Sequence, residues 1–356
     1  MSEEKTFDFE EALKKARKEM GHVNIAIMGK TGVGKSTLIN AVFHENLAKT
    51  GIGQPVTQNF TMYSKEGQFY SLLDSRGFEL AGYKEILEDL KQEINRRKTS
   101  DASQHIHVAW YCINNACTRF ENAEIEFINE LAKDIPVIVV LTQSTTPDKT
   151  LYNEAKRLAT NAKQVVKLLA QPYETPIGII PASGLEDLVE ATNEVLPEAI
   201  KNAFVAAQQI DLELKKKSAR KAIAGAVAAG VAACAIPLPL ADSAALAPIE
   251  IGMLASISHI MGLETSRAFL STLVSSAIGV TIATVTGKAI VTGLLKLIPG
   301  LGTLAGGMIG AAVATTMITA MGEAYIAAVI RMQASGNTNP EDLSKAFIEE
   351  MKKQKV

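Results

Sequence analysis

The stretch Val23-Asn-Ile-Ala-Ile-Met-Gly-Lys-Thr-Gly-Val-Gly-Lys-Ser36 decides the fold. Its first six residues form a short apolar run bounded by turn residues, which predicts a buried strand. Thr37 to Phe43 then follows a helical pattern, so the glycines lie between a strand and a helix. Gly29 to Ser36 fits G-x-x-x-x-G-K-[ST]. Glycines let a backbone curl until its N–H groups point at phosphate oxygens, and the helix N-terminus adds the positive end of its dipole. Gly29, Lys30, Thr31, Gly32, Val33 and Gly34 are therefore expected to cradle phosphates, with Thr37 just beyond. Lys35 is placed to reach the β and γ phosphates, and the Ser36 hydroxyl to ligate Mg²⁺.

Around this stretch the first half of the chain alternates strand and helix patterns. Gln68 to Leu73, His105 to Ile113, Pro136 to Leu141 and Thr175 to Ile180 are further apolar runs, each followed by a turn or polar stretch and a helical pattern. This predicts a doubly wound α/β domain with a mixed, mostly parallel sheet. Phe60 to Ser64 and Gln68 to Leu73 read as a hairpin, which makes one edge strand antiparallel. Ahead of the sheet, Phe7, Phe9, Leu13, Ala16 and Met20 suggest an amphipathic helix.

Leu72-Leu-Asp-Ser-Arg-Gly77 carries a D-x-x-G pattern at the end of an apolar strand, where open α/β sheets gather their ligands. Asp74 would hold the metal through water, with Gly77 beside the phosphate. Thr50 to Thr57 is glycine-rich and reads as a poorly structured stretch that orders around a γ phosphate; Thr57 is the candidate for a second hydroxyl on Mg²⁺, with Thr50 and Thr61 as competitors. His105 and His107 alternate on one strand with no matching carboxylate or cysteine, which reads as a plain strand edge.

The phosphate loop, Gly53-Gln-Pro-Val-Thr57, Asp74 to Gly77 and Trp110-Tyr-Cys-Ile113 together resemble the translation-factor-related GTPases, within them the Era-like and immunity-related branch, over about residues 21 to 195. The resemblance implies a Mg²⁺-dependent GTPase binding GTP and GDP, with Lys35 and Thr57 in catalytic roles and Ser36, Thr57 and Asp74 at the metal. It also implies a base-reading [NT]-K-x-D, but here the chain runs Thr142-Gln-Ser-Thr145: Gln143 replaces the lysine and Thr145 the aspartate. Asp148 lies three residues later, where N-cap preference favours a capping role. Ala182-Ser183 resembles the family's base-supporting loop. Phe78 follows Gly77 in place of the glutamine that orients attacking water in many relatives, so slow intrinsic hydrolysis is expected, helped by a homodimer partner or an activating protein.

The 356 residues carry 36 Lys+Arg against 38 Asp+Glu, a net charge of −2 that gives no sign of nucleic-acid binding. Three cysteines without a C-x-x-C pair, and a charged N-terminus lacking an apolar signal run, lead to an expectation of a cytoplasmic protein. Only seven charged side chains fall between Ala222 and Ile330, which predicts a C-terminal all-α, Ala/Gly-rich helical domain. The domain boundaries are therefore placed at 1–20, 21–195 and 196–356. Ala222 to Ala241, Ala268 to Gly287 and Leu297 to Gly322 lack charge for about the 20 residues a bilayer needs. With the basic cluster Lys215 to Lys221, this favours association with membrane lipid, peripheral or integral, over a compact bundle. Gly302, Gly306 and Gly310 offer a small-residue strip for helix contact, and Asp242 reads as the N-cap of a helix from Ser243.

The sequence thus leads to a GTP-hydrolysing switch whose nucleotide state controls the helical domain. A nucleotide-gated assembly protein with little hydrolysis, and an ATPase on the same loop, are the alternatives.

Overall fold

The computed structural model describes residues 20–43, 52–55, 60–65, 68–75, 82–117, 119–234, 242–263, 269–270, 272–274, 304–337 and 339–354. These fall into two compact units, Met20–Leu212 and a second that holds Glu213–Val356.

The first unit is a seven-stranded sheet in the order β2-β3-β4-β1-β5-β6-β7, formed by β1 (Val23–Met28), β2 (Ile52–Pro55), β3 (Phe60–Ser64), β4 (Tyr70–Ser75), β5 (Val108–Asn114), β6 (Val137–Thr142) and β7 (Gln164–Lys167). Strand β1 pairs in parallel with β4 on one side and β5 on the other, and β5, β6 and β7 continue in parallel. The parallel core needs cover on both faces, which is why VNIAIM and VIVVLT are buried at every position instead of alternating. On one face lie α2 (Tyr83–Lys98), α3 (Asn122–Leu131) and α4 (Thr150–Leu158), packed over Met28, Leu73, Tyr111 and Val139. On the other lie α1 (Lys35–Phe43), α5 (Leu185–Val195) and α6 (Glu198–Ala207). There Phe43 stacks on Tyr70 at 4.5 Å, and the buried Trp110 indole donates to Thr192 Oγ1 at 3.0 Å, giving the ring's one polar atom a partner.

Three expectations need correction. The stretch at Thr50 to Thr57 is not wholly irregular: β2 occupies Ile52–Pro55 and pairs antiparallel with β3, so β2, not the hairpin strand β3, forms the edge. Pro55 suits an edge strand, where one side of the backbone needs no donor. Thr175 to Ile180 does not join the main sheet; it contributes to a separate hairpin, β8 (Tyr173–Thr175) and β9 (Gly178–Ile180), with Ile177 99% and Ile179 66% exposed. The last sheet strand is instead β7, whose sequence QVVK is short and polar at both ends. After α6 the chain continues into a new helix, α7 (Leu212–Cys234), the two being separated at Gln208. There the Gln208 side chain accepts from the amides of Ile210 and Asp211.

The second unit is helical: most of α7, then α8 (Asp242–Met261), α9 (Leu304–Ala334) and α10 (Pro340–Lys353). Gly262, at φ +78°, follows α8 as a left-handed terminator. Helix α8 carries Pro248 within it and begins at Asp242, whose side chain lies outside the described residues, as do the N-terminal amphipathic stretch and Gly302. Among the described residues, two glycines outside that strip stand at close helix contacts. A Cβ on Gly230 would meet Ile318 Cδ1 at 2.5 Å, and one on Gly322 would meet Ile223 Cγ1 at 2.5 Å. Tyr325 is fully buried between Phe347 and the Ser258 hydroxyl, 2.8 Å away. Among the described residues, no helix is long and apolar enough to cross a membrane.

Candidate functional site

Strand β1 sits where the order of the sheet reverses, so the loop after Met28 opens into the crevice between the ends of β4 and β5. Three glycines there adopt left-handed backbone angles: Gly29 at φ +130°, Gly32 at +79° and Gly34 at +96°. Gly29 has a second reason to lack a side chain, because a Cβ would lie 2.2 Å from the Cys112 carbonyl oxygen at the end of β5. The curl delivers Lys35 and Ser36 into the first turn of α1, with Ser36 exposed at the mouth and Thr31 and Gly32 at the rim. The Lys35 ammonium folds back over the loop, donating to the carbonyls of Gly29 at 2.7 Å and Lys30 at 3.1 Å. Both are contacts that an arriving phosphate can replace.

Asp74 lies near the C-terminal end of β4, in register beside Ile27 of β1. Its Oδ1 is buried and has no hydrogen-bond partner among the described residues. Burial raises the carboxyl above its usual range, while the Lys35 charge and the Ser75 amide pull it back. An unpartnered buried carboxylate oxygen beside the phosphate loop is a hard donor of the kind Mg²⁺ takes alongside water and phosphate oxygens, so the residues fit that cation. Among the described residues, no cluster of three His, Cys, Asp or Glu offers an alternative metal site. Thr57 and Gly77 lie outside the described residues, so Ser36 and Asp74 are the members of the expected metal set that can be placed.

The loop after β6 explains what Thr142-Gln-Ser-Thr145 does in place of the familiar pattern. The buried Thr142 hydroxyl shares its proton between the carbonyls of Val33 at 2.5 Å and Ile113 at 3.1 Å. Gln143, held at φ +52°, donates from Nε2 to Gly32 O at 3.2 Å and accepts from Asn114 Nδ2 at 3.2 Å. These two side chains therefore brace the phosphate loop from behind. Asp148 Oδ1 accepts from the Thr150 amide and hydroxyl, although the N-cap of α4 is Lys149, one residue later, so Asp148 stands just ahead of the cap expected of it. Lys167 of β7 donates to the carbonyls of Thr146 and Asp148, holding the rest of the loop. Ser183 exchanges backbone hydrogen bonds with Leu169 at 2.9 and 3.0 Å, which brings the exposed pair Ala182 and Ser183 to the same end of the sheet.

Two further contacts shape the site, the first of them unmarked in the sequence. Lys30 pairs with Glu121, and with Glu124 at 3.6 Å, so the loop is tied to the N-terminus of α3, where Glu121 and Glu124 form a reciprocal capping box. Burial works against its charge, but the two carboxylates hold the Lys30 ammonium above the usual lysine range. The other is Thr61, buried on β3 directly across from Asp74. His107, by contrast, is a structural latch: its Nδ1 accepts the Asn24 amide at 3.0 Å, which leaves Nε2–H to donate to Ala102 O at 3.0 Å. Burial lowers it to about 4, with the neighbouring His105 and His22 adding to that.

The sequence is similar to those of known proteins. The model of the 50S ribosome-binding GTPase family matches residues 24–143, from β1 to the loop after β6. A protein named Probable GTP-binding protein EngB from Kosmotoga olearia is 28% identical over 176 residues, covering 47% of this chain and 85% of that protein. The protein of the same name from Thermoanaerobacter pseudethanolicus is 31% identical over 150 residues, covering 40% of this chain and 73% of that one. A crystal structure of a probable GTP-binding protein engB aligns with a TM-score of 0.33 at 21% identity, covering 49% of this chain and 98% of that one. The identity to the Thermoanaerobacter protein and the span it covers, together with a phosphate loop seated at the reversal of a parallel sheet, make the chain a P-loop GTPase belonging to the EngB family of GTP-binding proteins.

Proposed function

We propose that this GTPase is a Mg²⁺-dependent switch in which Lys35 neutralises the β and γ phosphates, Ser36 and Asp74 hold the metal, Thr57 completes its shell, and hydrolysis is slow. The single observation that supports this reading best is the buried, unpartnered Asp74 Oδ1 within electrostatic reach of Lys35. Slow turnover rests on Phe78, since a phenyl ring cannot orient water. Single-turnover cleavage of GTP by the isolated chain tests it: a rate comparable to that of activator-stimulated GTPases contradicts the proposal, and stimulation by a second copy or another protein supports it. The Era-like or immunity-related placement rests on the sequence motifs alone.

The same switch is proposed to act on the helical residues after 195, which would meet membrane lipid at the bilayer surface or a partner protein. Support comes from the shortage of charge between Ala222 and Ile330 beside Lys215 to Lys221. Co-sedimentation with anionic vesicles that depends on GTP favours the lipid, and indifference to both lipid and nucleotide removes this part.

A second reading, looser base selection extending to ATP, is favoured by one observation. Thr142 and Gln143 are engaged with the phosphate loop and Asp148 with Thr150, so none of the three is free to read the base. Competition of GTP and ATP for a fluorescent diphosphate separates the readings: a preference for GTP of a hundredfold or more ends the second one.

A further inference from the structure

Strands β3 and β4 place Thr61 directly opposite Asp74. Residues opposed across an antiparallel ladder project to the same face with Cβ atoms about 4.5–5.5 Å apart. Thr61 is 5% exposed, and among the described residues its buried Oγ1 has no hydrogen-bond partner, nor has Asp74 Oδ1. Ser75 Oγ is also unpartnered, but Ser75 stands across from Phe60, and strand alternation puts that pair on the opposite face. Among the described residues of β3 and β4, the orphaned oxygens on the face shared with Ile27 of β1 are therefore those of Thr61 and Asp74.

Leaving such a group dry carries its desolvation cost, and a hydroxyl beside a carboxylate has an obvious remedy in a direct bond, which Thr61 does not make. Both side chains are instead available to the same third body. A carboxylate accepts only, whereas a hydroxyl donates and accepts, so a water bound to a cation satisfies both at once. Valine would fill the same space in a strand whose neighbours Phe60 and Met62 are buried, so packing alone gives no reason for the hydroxyl.

We infer that Thr61 is a positioning residue for the divalent cation: with Asp74 it anchors the hydration shell, across the β3–β4 ladder from the phosphate loop. The inference rests on the proposed Mg²⁺ reading of this site. Thr61 needs to touch neither metal nor nucleotide, and its effect is on how firmly the shell is oriented.

The test uses the full chain and a fluorescent GDP analogue, with release rates measured across a Mg²⁺ titration and in EDTA. Thr61→Val is expected to raise the half-saturating Mg²⁺ concentration about 10-fold, the lower end of what outer-shell substitutions do, and to leave release in EDTA unchanged. Thr61→Ser should stay within about twofold of wild type, since it keeps the hydroxyl. Thermal melts confirm folding, and Thr61→Ala carries the same test if the valine variant does not fold. A Mg²⁺ dependence unchanged in Thr61→Val overturns the inference, as does faster release in EDTA, which reveals a packing role. Wild-type release that ignores Mg²⁺ is a different failure: it removes the underlying metal reading and the inference with it.

Discussion

Replacing Thr142 with valine isolates the brace behind the phosphate loop. The substitution keeps the β-branch and so the strand preference, and it deletes one hydroxyl. That hydroxyl donates to Val33 O at 2.5 Å and to Ile113 O at 3.1 Å, and Thr142 is 2% exposed, so water does not take its place. Removing a buried donor while its acceptors remain costs about 1–3 kcal/mol. At about 2 kcal/mol the thermal transition of a unit this size falls by roughly 4–8 °C. Because Val33 belongs to the loop itself, nucleotide must now order what the protein formerly held, and affinity for GDP should fall about 5- to 30-fold, the equivalent of 1–2 kcal/mol. Differential scanning with and without GDP, followed by release of a fluorescent diphosphate, measures both effects. A Thr142→Val protein with an unchanged transition and unchanged GDP affinity would falsify the claim that this side chain stabilises the loop.

Other tests reach different parts of the molecule. His107, lowered to about 4 by burial, resists protonation when folded but accepts it near 6.5 when unfolded. The folded form therefore binds fewer protons, and stability should fall as pH drops from about 6.5 towards 4, by up to roughly 3 kcal/mol. Imidazole NMR checks this, and a His107 titration near 6.5 in the native protein refutes it. Burial pushes the Cys112 thiol to about 12, whereas Cys117 is exposed, so brief alkylation at pH 8 followed by peptide mapping should mark Cys117 and spare Cys112. Gly322→Val should destabilise the helical unit by about 1–3 kcal/mol, since its Cβ would press on Ile223 Cγ1 at 2.5 Å and on Met253 Sδ at 3.3 Å. Urea unfolding followed by circular dichroism reads the loss, and an unchanged midpoint means that the helices separate there at no cost.

What could be read in advance follows the strength of local constraint. The loop from Gly29 to Ser36 was legible because its left-handed turns and its approach to the Cys112 carbonyl admit only glycine, which leaves a mark in the sequence. The buried strands β1 and β6 were legible because cover on both faces demands unbroken apolar runs. Strand β7 was not, since four residues ending in Gln164 and Lys167 carry little periodic signal and its place is set by pairing with β6. Thr175 to Ile180 misled in the opposite sense, its apolar residues lying on an exposed hairpin. At the site, the missing base-reading aspartate was visible, but the use of Thr142 and Gln143 as braces depends on contacts with residues about 110 positions away. Thr61 was visible as one of three threonines, and only the β3–β4 register separates it from the others.

The central claim, that a purine triphosphate and Mg²⁺ meet in the crevice between β4 and β5, is tested most directly by equilibrium binding of GTP to the full chain with Mg²⁺ and with EDTA, in wild type and Lys35→Ala. Binding that weakens at least tenfold in EDTA, and falls by a comparable or larger factor in Lys35→Ala, is the predicted result. Affinity indifferent to both the cation and the lysine, or no binding of GTP or ATP under either condition, contradicts it.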